Sequence, residues 1–144
     1  MRVFFDTSVL VAALVDSHPS HRAAFARLRQ VWSQSDTGLV AVHSLAELHA
    51  TLTAFPQKPR ISAADASLLI QRSVLDKFEV VPLSVDDYAA VIEQLATSSL
   101  ISGVIYDALI LRAALKANAD HVLTLNEKDF RRVYPEIADK IIVP

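Results

Sequence analysis

The chain of 144 residues is 52% hydrophobic and 21% charged, with 14 Lys plus Arg against 16 Asp plus Glu, which is the composition of a globular domain able to bury its own core. It has no cysteine, which excludes zinc ribbons, iron–sulfur sites and thiol nucleophiles, and its two glycines, Gly38 and Gly103, exclude G-x-G-x-x-G and G-x-x-x-x-G-K-[ST] loops. A net charge of -2 supplies no basic field for nucleic acid, so any contact with a phosphate backbone must be arranged locally.

No repeat, low-complexity tract or linker divides the chain, and residues 1 to 144 are read as one domain. Arg2–Phe5 is a short β-type run entering the core. No apolar stretch is long enough to span a membrane. Asp6 also splits the apolar N-terminal segment where a signal peptide would run on, so a cytoplasmic protein is expected. After the turn signal Asp16-Ser-His-Pro19, the residues His21, Ala24, Phe25, Leu28, Val31 and Trp32 recur at helical spacing over His18–Ser33. Gly38–Val42 reads as a second buried strand. Ser44–Phe55 is a helix closed by Pro56-Gln-Lys-Pro59, and Ser62–Lys77 another, with Ala66, Leu69, Ile70, Ser73 and Val74 on one face. Phe78–Leu83 is a strand. The capping box Ser84-x-x-Asp87 then opens a helix whose buried stripe is expected to be Val85, Tyr88, Ala89, Ile92 and Leu95.

Beyond Gly103, Val104–Asn118 is a helix apolar nearly all round, which places it in the interior. His121–Leu125 is a strand, Asn126–Arg132 a short helix and Lys140–Val143 an edge strand. Strands separated by helical stretches predict an α/β domain with a mainly parallel central sheet flanked by helices on both faces.

In such sheets the functional crevice lies at the carboxyl ends of the strands. Asp6 ends the first strand, Glu47 lies near the start of the helix after the second, Asn126 follows the fourth, and Asp107 sits early in the interior helix. Each has a plainer reading. Asp6 suits an N-cap for a helix starting near Thr7, Ser44-x-x-Glu47 is a capping box, and Asn126-x-x-Asp129 reads as a helix start. Capping does not explain Asp107, whose same-face neighbours are Ile110, Leu111 and Ala114 with no basic residue one turn away. Three carboxylates about 4 Å apart repel by about 4 kcal/mol per pair at an effective dielectric near 20. A hard divalent cation, Mg²⁺ or Mn²⁺, is the simplest compensation for an all-oxygen donor set. Bound to carboxylates and phosphate oxygens, it also serves phosphodiester hydrolysis.

Together, the Asp6-Thr-Ser-Val-Leu-Val opening, Ser44-Leu-Ala-Glu47, Ser102-Gly-Val-Ile-Tyr-Asp-Ala-Leu-Ile110 and Ala119-Asp-His-Val-Leu-Thr-Leu-Asn-Glu-Lys-Asp-Phe130 resemble a PIN domain, most closely the VapC-type toxin ribonucleases of type II toxin–antitoxin systems. Order and spacing carry the likeness: 41 residues from Asp6 to Glu47, 60 to Asp107 and 19 more to Asn126. The resemblance implies a PIN-like three-layer fold and a Mg²⁺-dependent endoribonuclease. In it, Asp6 and Asp107 would be the principal metal ligands, and Glu47 a third acid binding metal or orienting water. Asn126 stands where the family often has a fourth Asp, which favours one tightly held ion and leaves Asp129 or Glu127 as partial substitutes. Thr7, Ser8 and Thr124 match small hydroxyl positions lining such sites, where they would orient carboxylates or phosphate; turn and cap roles remain open for them. The resemblance further implies a homodimer, an RNA substrate and a small antitoxin that places an Arg against the carboxylates. The alternative is a PIN-like RNA-binding or scaffold protein whose altered fourth position has ended catalysis.

Other residues carry weaker signals. His43 and Glu47 are four apart, a spacing for two ligands on one helix face, but no third nitrogen ligand is fixed by the pattern. His18, His21, His49 and His121 read as surface, stripe or loop residues. Lys58 and Arg60 in the Pro-bounded loop, with Arg112, Lys128, Arg131 and Arg132, are candidate phosphate contacts against a default of solvated charge. Tyr106, next to Asp107, suits core packing or stacking on a base.

Overall fold

The computed structural model describes residues 1–144. Its centre is a sheet of β1 (Arg2–Phe5), β2 (Thr37–Ala41), β3 (Glu79–Val81), β4 (His121–Leu123) and β5 (Ile141–Ile142), in the order β3-β2-β1-β4-β5 with every neighbouring pair parallel. The five strands read from the sequence are all present: β1 keeps its bounds, β2 lies one residue earlier than expected, and β3, β4 and β5 are shorter.

Alternation along the strands divides the core in two. Val3, Phe5, Val40 and Leu123 face α1 (Thr7–Leu14), α2 (His21–Trp32), α3 (Val42–Ala54) and α4 (Ala63–Ile70). Phe4, Leu39, Ala41 and Val122 face α5 (Val85–Ser98), α6 (Val104–Lys116) and α7 (Glu127–Val133). The result is three layers, helices on sheet on helices. The helix α1, Thr-Ser-Val-Leu-Val-Ala-Ala-Leu, is rich in residues with modest helix propensity. It forms because six of its eight residues are buried, so packing decides rather than propensity.

Gly38 on β2 has a packing reason. A Cβ there would lie 2.7 Å from the Phe78 ring and from Val31 Cγ1. Only a residue without a side chain lets the strand approach these groups.

Two local expectations are corrected. The inward face of α5 is Asp87, Val91 and Leu95, while Val85, Tyr88, Ala89 and Ile92 point outward, Val85 with 85% of its surface exposed. The capping box is present, but Asp87 also accepts hydrogen bonds from Arg112 Nε (3.0 Å) and Lys116 Nζ (2.8 Å) on α6. That ionic anchor turns the Asp87 face inward, and an apolar count along the helix does not register it. The second correction is at α3, which starts at Val42 with Ala41 as N-cap. Ser44 is therefore inside the helix, its hydroxyl buried without a partner, and Ser44-x-x-Glu47 is not a capping box. Ser62 does cap α4, accepting from the Asp65 N–H at 3.0 Å, and that helix continues through a π-turn at Gln71–Leu75.

Candidate active site

The order of the strands fixes where the site falls. From β1 the chain moves outward to β2 and β3 with its helices on one face, then returns to β4 on the other side of β1 with helices on the opposite face. The crevice of an open parallel sheet forms at such a reversal, here outside the carboxyl ends of β1 and β4. Phe5 pairs with Leu123, so the next residues, Asp6 and Thr124, are neighbours at that point.

Asp6 is the N-cap residue of α1 in backbone terms only. Its main-chain oxygen accepts from Val9 and Leu10, but its side chain makes no cap bond. Instead Oδ2 accepts from Ser8 Oγ at 2.6 Å and Thr124 Oγ1 at 2.8 Å. Both hydroxyls accept in turn: Ser8 from the Leu125 N–H (3.1 Å) and Thr124 from the Asn126 N–H (2.9 Å). The loop after β4 is thus tied to Asp6 through two neutral donors. Burial pushes the Asp6 pKa up, and the two hydroxyls pull against it.

Asp107 projects from the first turn of α6, where Asn126 Nδ2 approaches its Oδ2 at 3.4 Å. Its pKa is pushed up to about 7, first by burial and then by the charges of Asp6, Asp129 and Glu47, with Arg132 opposing. Glu47, one turn into α3, is also raised, by burial and then by Asp6. Segments 41 and 60 residues apart in sequence are therefore electrostatically joined. Asn126 occupies the N-cap position of α7 without a side-chain cap bond, so its amide serves Asp107 rather than the helix.

The cluster has no cation of its own that balances it. Arg132, the one base that Asp107 feels, is itself paired with Asp129 at 3.5 Å. No three His, Asp or Glu side chains are already closed around one point as a ligand cage. Mg²⁺ would take only one or two of these carboxylates directly, because it keeps several waters. The fit shows in buried polar atoms left without partners, Glu47 Oε1 and Thr7 Oγ1, and in the mutual repulsion registered by Asp107. An all-oxygen, strongly anionic donor set matches a hard divalent ion.

The basic residues fall elsewhere. Lys58 and Arg60 are exposed on the loop between α3 and α4. Arg60 lines a depression of about 620 Å³ with Asp16, Asp65 and Arg72, and none of Asp6, Glu47, Asp107 or Asn126 borders it. Arg112 is spent on Asp87, and Arg131 on Glu127 and the carbonyls of Ala138 and Ile141. Lys128 in the first turn of α7 and Arg132 in its last turn are exposed, and Tyr106 is 58% exposed beside Asp107 rather than packed in the core. Two features the sequence only hinted at take definite form: Asp129 acts on Asp107, and His43 Nε2 lies 3.4 Å from Glu47 Oε1. The i,i+4 spacing announced the second.

The PIN domain profile matches residues 3–135. The chain belongs to the PIN domain family. Among solved structures, a Rickettsia felis VapBC2 complex bound to a DNA fragment from its promoter is similar in fold, with a TM-score of 0.66, 22% identity and coverage of 100% of this chain and 98% of that one. Mycobacterium tuberculosis VapC20, a toxin that cleaves the sarcin–ricin loop, gives a TM-score of 0.63 at 20% identity over 83% of this chain and 86% of its own. Among curated proteins no sequence matches. The three-layer α/β architecture expected of a PIN domain is the one observed. No helix is long and apolar enough to cross a membrane.

Proposed function

We propose that this PIN domain, read as one unit over residues 1–144, is a Mg²⁺- or Mn²⁺-dependent endoribonuclease of VapC type, the toxin of a toxin–antitoxin pair. The observation that carries the reading is Asp107, a half-buried carboxylate whose same-face neighbours Ile110, Leu111 and Ala114 are apolar and whose pKa is raised first by burial and then by Asp6, Asp129 and Glu47. A half-buried acid placed among other acids in a crevice marks a functional-site candidate.

Asp6 and Asp107 would hold the ion, with Glu47 as third ligand or as the acceptor that orients the attacking water. A bound divalent cation supplies a hydroxide-like water and neutralises charge building on the phosphodiester. The chain's own residues prepare that chemistry. Ser8 and Thr124 fix the Asp6 carboxylate, and Asn126 fixes Asp107. Thr7, whose hydroxyl lacks a protein partner, is the donor left over for a phosphate oxygen. Lys58 and Arg60, away from the cluster, would touch only a long RNA's flanking phosphates. Asp129, near enough to Asp107 to raise its pKa, is better placed than Glu127, which pairs with Arg131, to stand in for the fourth acid.

The relatives support the partners as well as the chemistry. One is a VapBC complex and another cleaves RNA. A small antitoxin offering an Arg to this anionic crevice, and a homodimer of this chain, follow as parts of the same reading, as does a cytoplasmic site of action.

The test is cleavage by purified protein freed of any antitoxin. Cutting of RNA with Mg²⁺ or Mn²⁺, arrest by chelator, and loss in an Asp6→Asn, Asp107→Asn double variant are expected. Equal rates from that variant would refute the assignment. RNA binding without metal-dependent cutting would favour a scaffold that has lost catalysis through Asn126.

A further inference from the structure

Two acids of the cluster are held by neutral donors. Asp6 has Ser8 and Thr124, and Asp107 has Asn126. Glu47 has no hydrogen bond, and its Oε1 is buried. One turn earlier on α3 stands His43, its side chain only 16% exposed, with Nε2 3.4 Å from that same Oε1. Both ring nitrogens of His43 are buried without a partner as well. A core histidine that merely fills space finds a carbonyl or hydroxyl for its N–H, as His21 does with Ala12 O at 2.9 Å. His43 has none, and its Nε2 lies 3.4 Å from the equally orphaned Glu47 Oε1, near enough for a hydrogen bond but not aligned for one in this conformation.

We infer that His43 is a positioning residue, donating from Nε2–H to Glu47 and holding that carboxylate toward Asp6. The start of α3 explains the pair. Because the helix begins at Val42, directly after β2, His43 falls in its first turn and Glu47 on the same face four residues on. A helix starting at Ser44 would have left His43 outside it. A histidine that fixes a ligand's carboxylate is an outer partner of the kind that governs metal affinity. The inference rests on the proposed function, because it takes Glu47 to be part of the cation site.

The experiment measures binding of Mg²⁺ alone by calorimetry, with no RNA, for the parent chain, Glu47→Gln, His43→Leu and His43→Gln. His43→Leu removes the donor and is expected to weaken Mg²⁺ binding by roughly 10–100-fold. His43→Gln, which keeps an N–H at a similar reach, is expected to restore affinity toward that of the parent. Nitrogen NMR of the unmodified protein supplies an independent reading that survives any folding defect in the variants. It should find the proton of His43 on Nε2 and Nδ1 bare. If Glu47→Gln binds Mg²⁺ as the parent does, Glu47 is not at the cation and the inference falls with that part of the proposed function. If Glu47→Gln weakens binding while His43→Leu does not, or if the proton sits on Nδ1, His43 is ordinary packing and only this inference is overturned.

Discussion

Asp87 and Asp107 lie on adjacent packed helices, yet they sit in opposite surroundings. Asp87 receives Lys116, the Ser84 N–H, Arg112 and the Ser84 hydroxyl, and its pKa is held far below the ordinary carboxylate range. Asp107 receives one long amide contact and faces three other acids, and its pKa rises to about 7. The first carboxylate ties α5 to α6 and has every partner it needs within the chain. The second is a deficit the chain does not fill. An acid with its cations beside it is structural, whereas one left among its own kind points to a ligand.

That contrast breaks most sharply with metal. If the deficit at Asp107 is a cation site, Mg²⁺ at one hundred times its dissociation constant stabilises the parent by about 2.7 kcal/mol. Asp107→Asn should gain nothing, and Asp87→Asn should gain as much as the parent. Thermal unfolding with Mg²⁺ or with chelator measures this, and an equal gain in Asp107→Asn would end the reading.

The pH dependence in chelator should differ in sign between the two acids. For Asp107 the folded value, about 7, exceeds the ordinary 3.8. Between them the folded state keeps a proton that the unfolded state has lost, so this group makes stability fall as pH rises through that window. Asp107→Asn should therefore be the more stable protein at pH 8, with the advantage shrinking toward pH 4. Asp87 is the reverse: its contribution is present above 3.8 and fades as pH falls below it. Asp87→Asn should be less stable than the parent at neutral pH and converge with it in acid. Two variants moving the same way at pH 8 would erase the distinction.

The next effect separates neutral from ionic anchoring. Thr124 is fully buried, donates to Asp6 and accepts from the Asn126 N–H. Thr124→Val leaves both groups short, an expected cost of roughly 1–3 kcal/mol. The loss should appear in urea unfolding with and without Mg²⁺, because the hydroxyl holds the loop after β4 whether or not a cation is bound. A midpoint unchanged from the parent would show that Asp6 does not depend on it.

Much of this could be read from residues alone. All five strands carry short apolar runs bounded by turn signals, and the place of Asp6 and Thr124 at the carboxyl ends of β1 and β4 follows from a parallel sheet. What escaped depended on partners distant in sequence. The rotation of α5 is set by Arg112 and Lys116, 25 and 29 residues beyond Asp87, so periodicity alone chose the wrong stripe. The first residue of α3 is set by where β2 leaves the sheet, and a Ser-x-x-Glu pattern misplaced it. Cap motifs are local and common, so they mislead where a strand runs directly into a helix. Asp129 could be named as a stand-in for the fourth acid, but local pattern could not choose between it and Glu127, because the choice depends on its reach to Asp107 and on the pairing of Glu127 with Arg131.

The smallest effect tests the fourth position. Asn126 now gives its amide to Asp107, so Asn126→Asp replaces a weak donor with a like charge. Both groups remain partly open to solvent, and the expected loss in chelator at pH 8 is only about 0.2–1 kcal/mol. Adding Mg²⁺ should more than recover it, because a further carboxylate raises the attraction for the ion while the repulsion it caused disappears. Asp87→Asn has no such rescue, since its partners are Arg and Lys side chains that Mg²⁺ does not replace. Stability of Asn126→Asp equal to that of the parent in chelator would mean that residues 126 and 107 do not share one field, and the fourth side of the cluster would then belong to Asp129 alone.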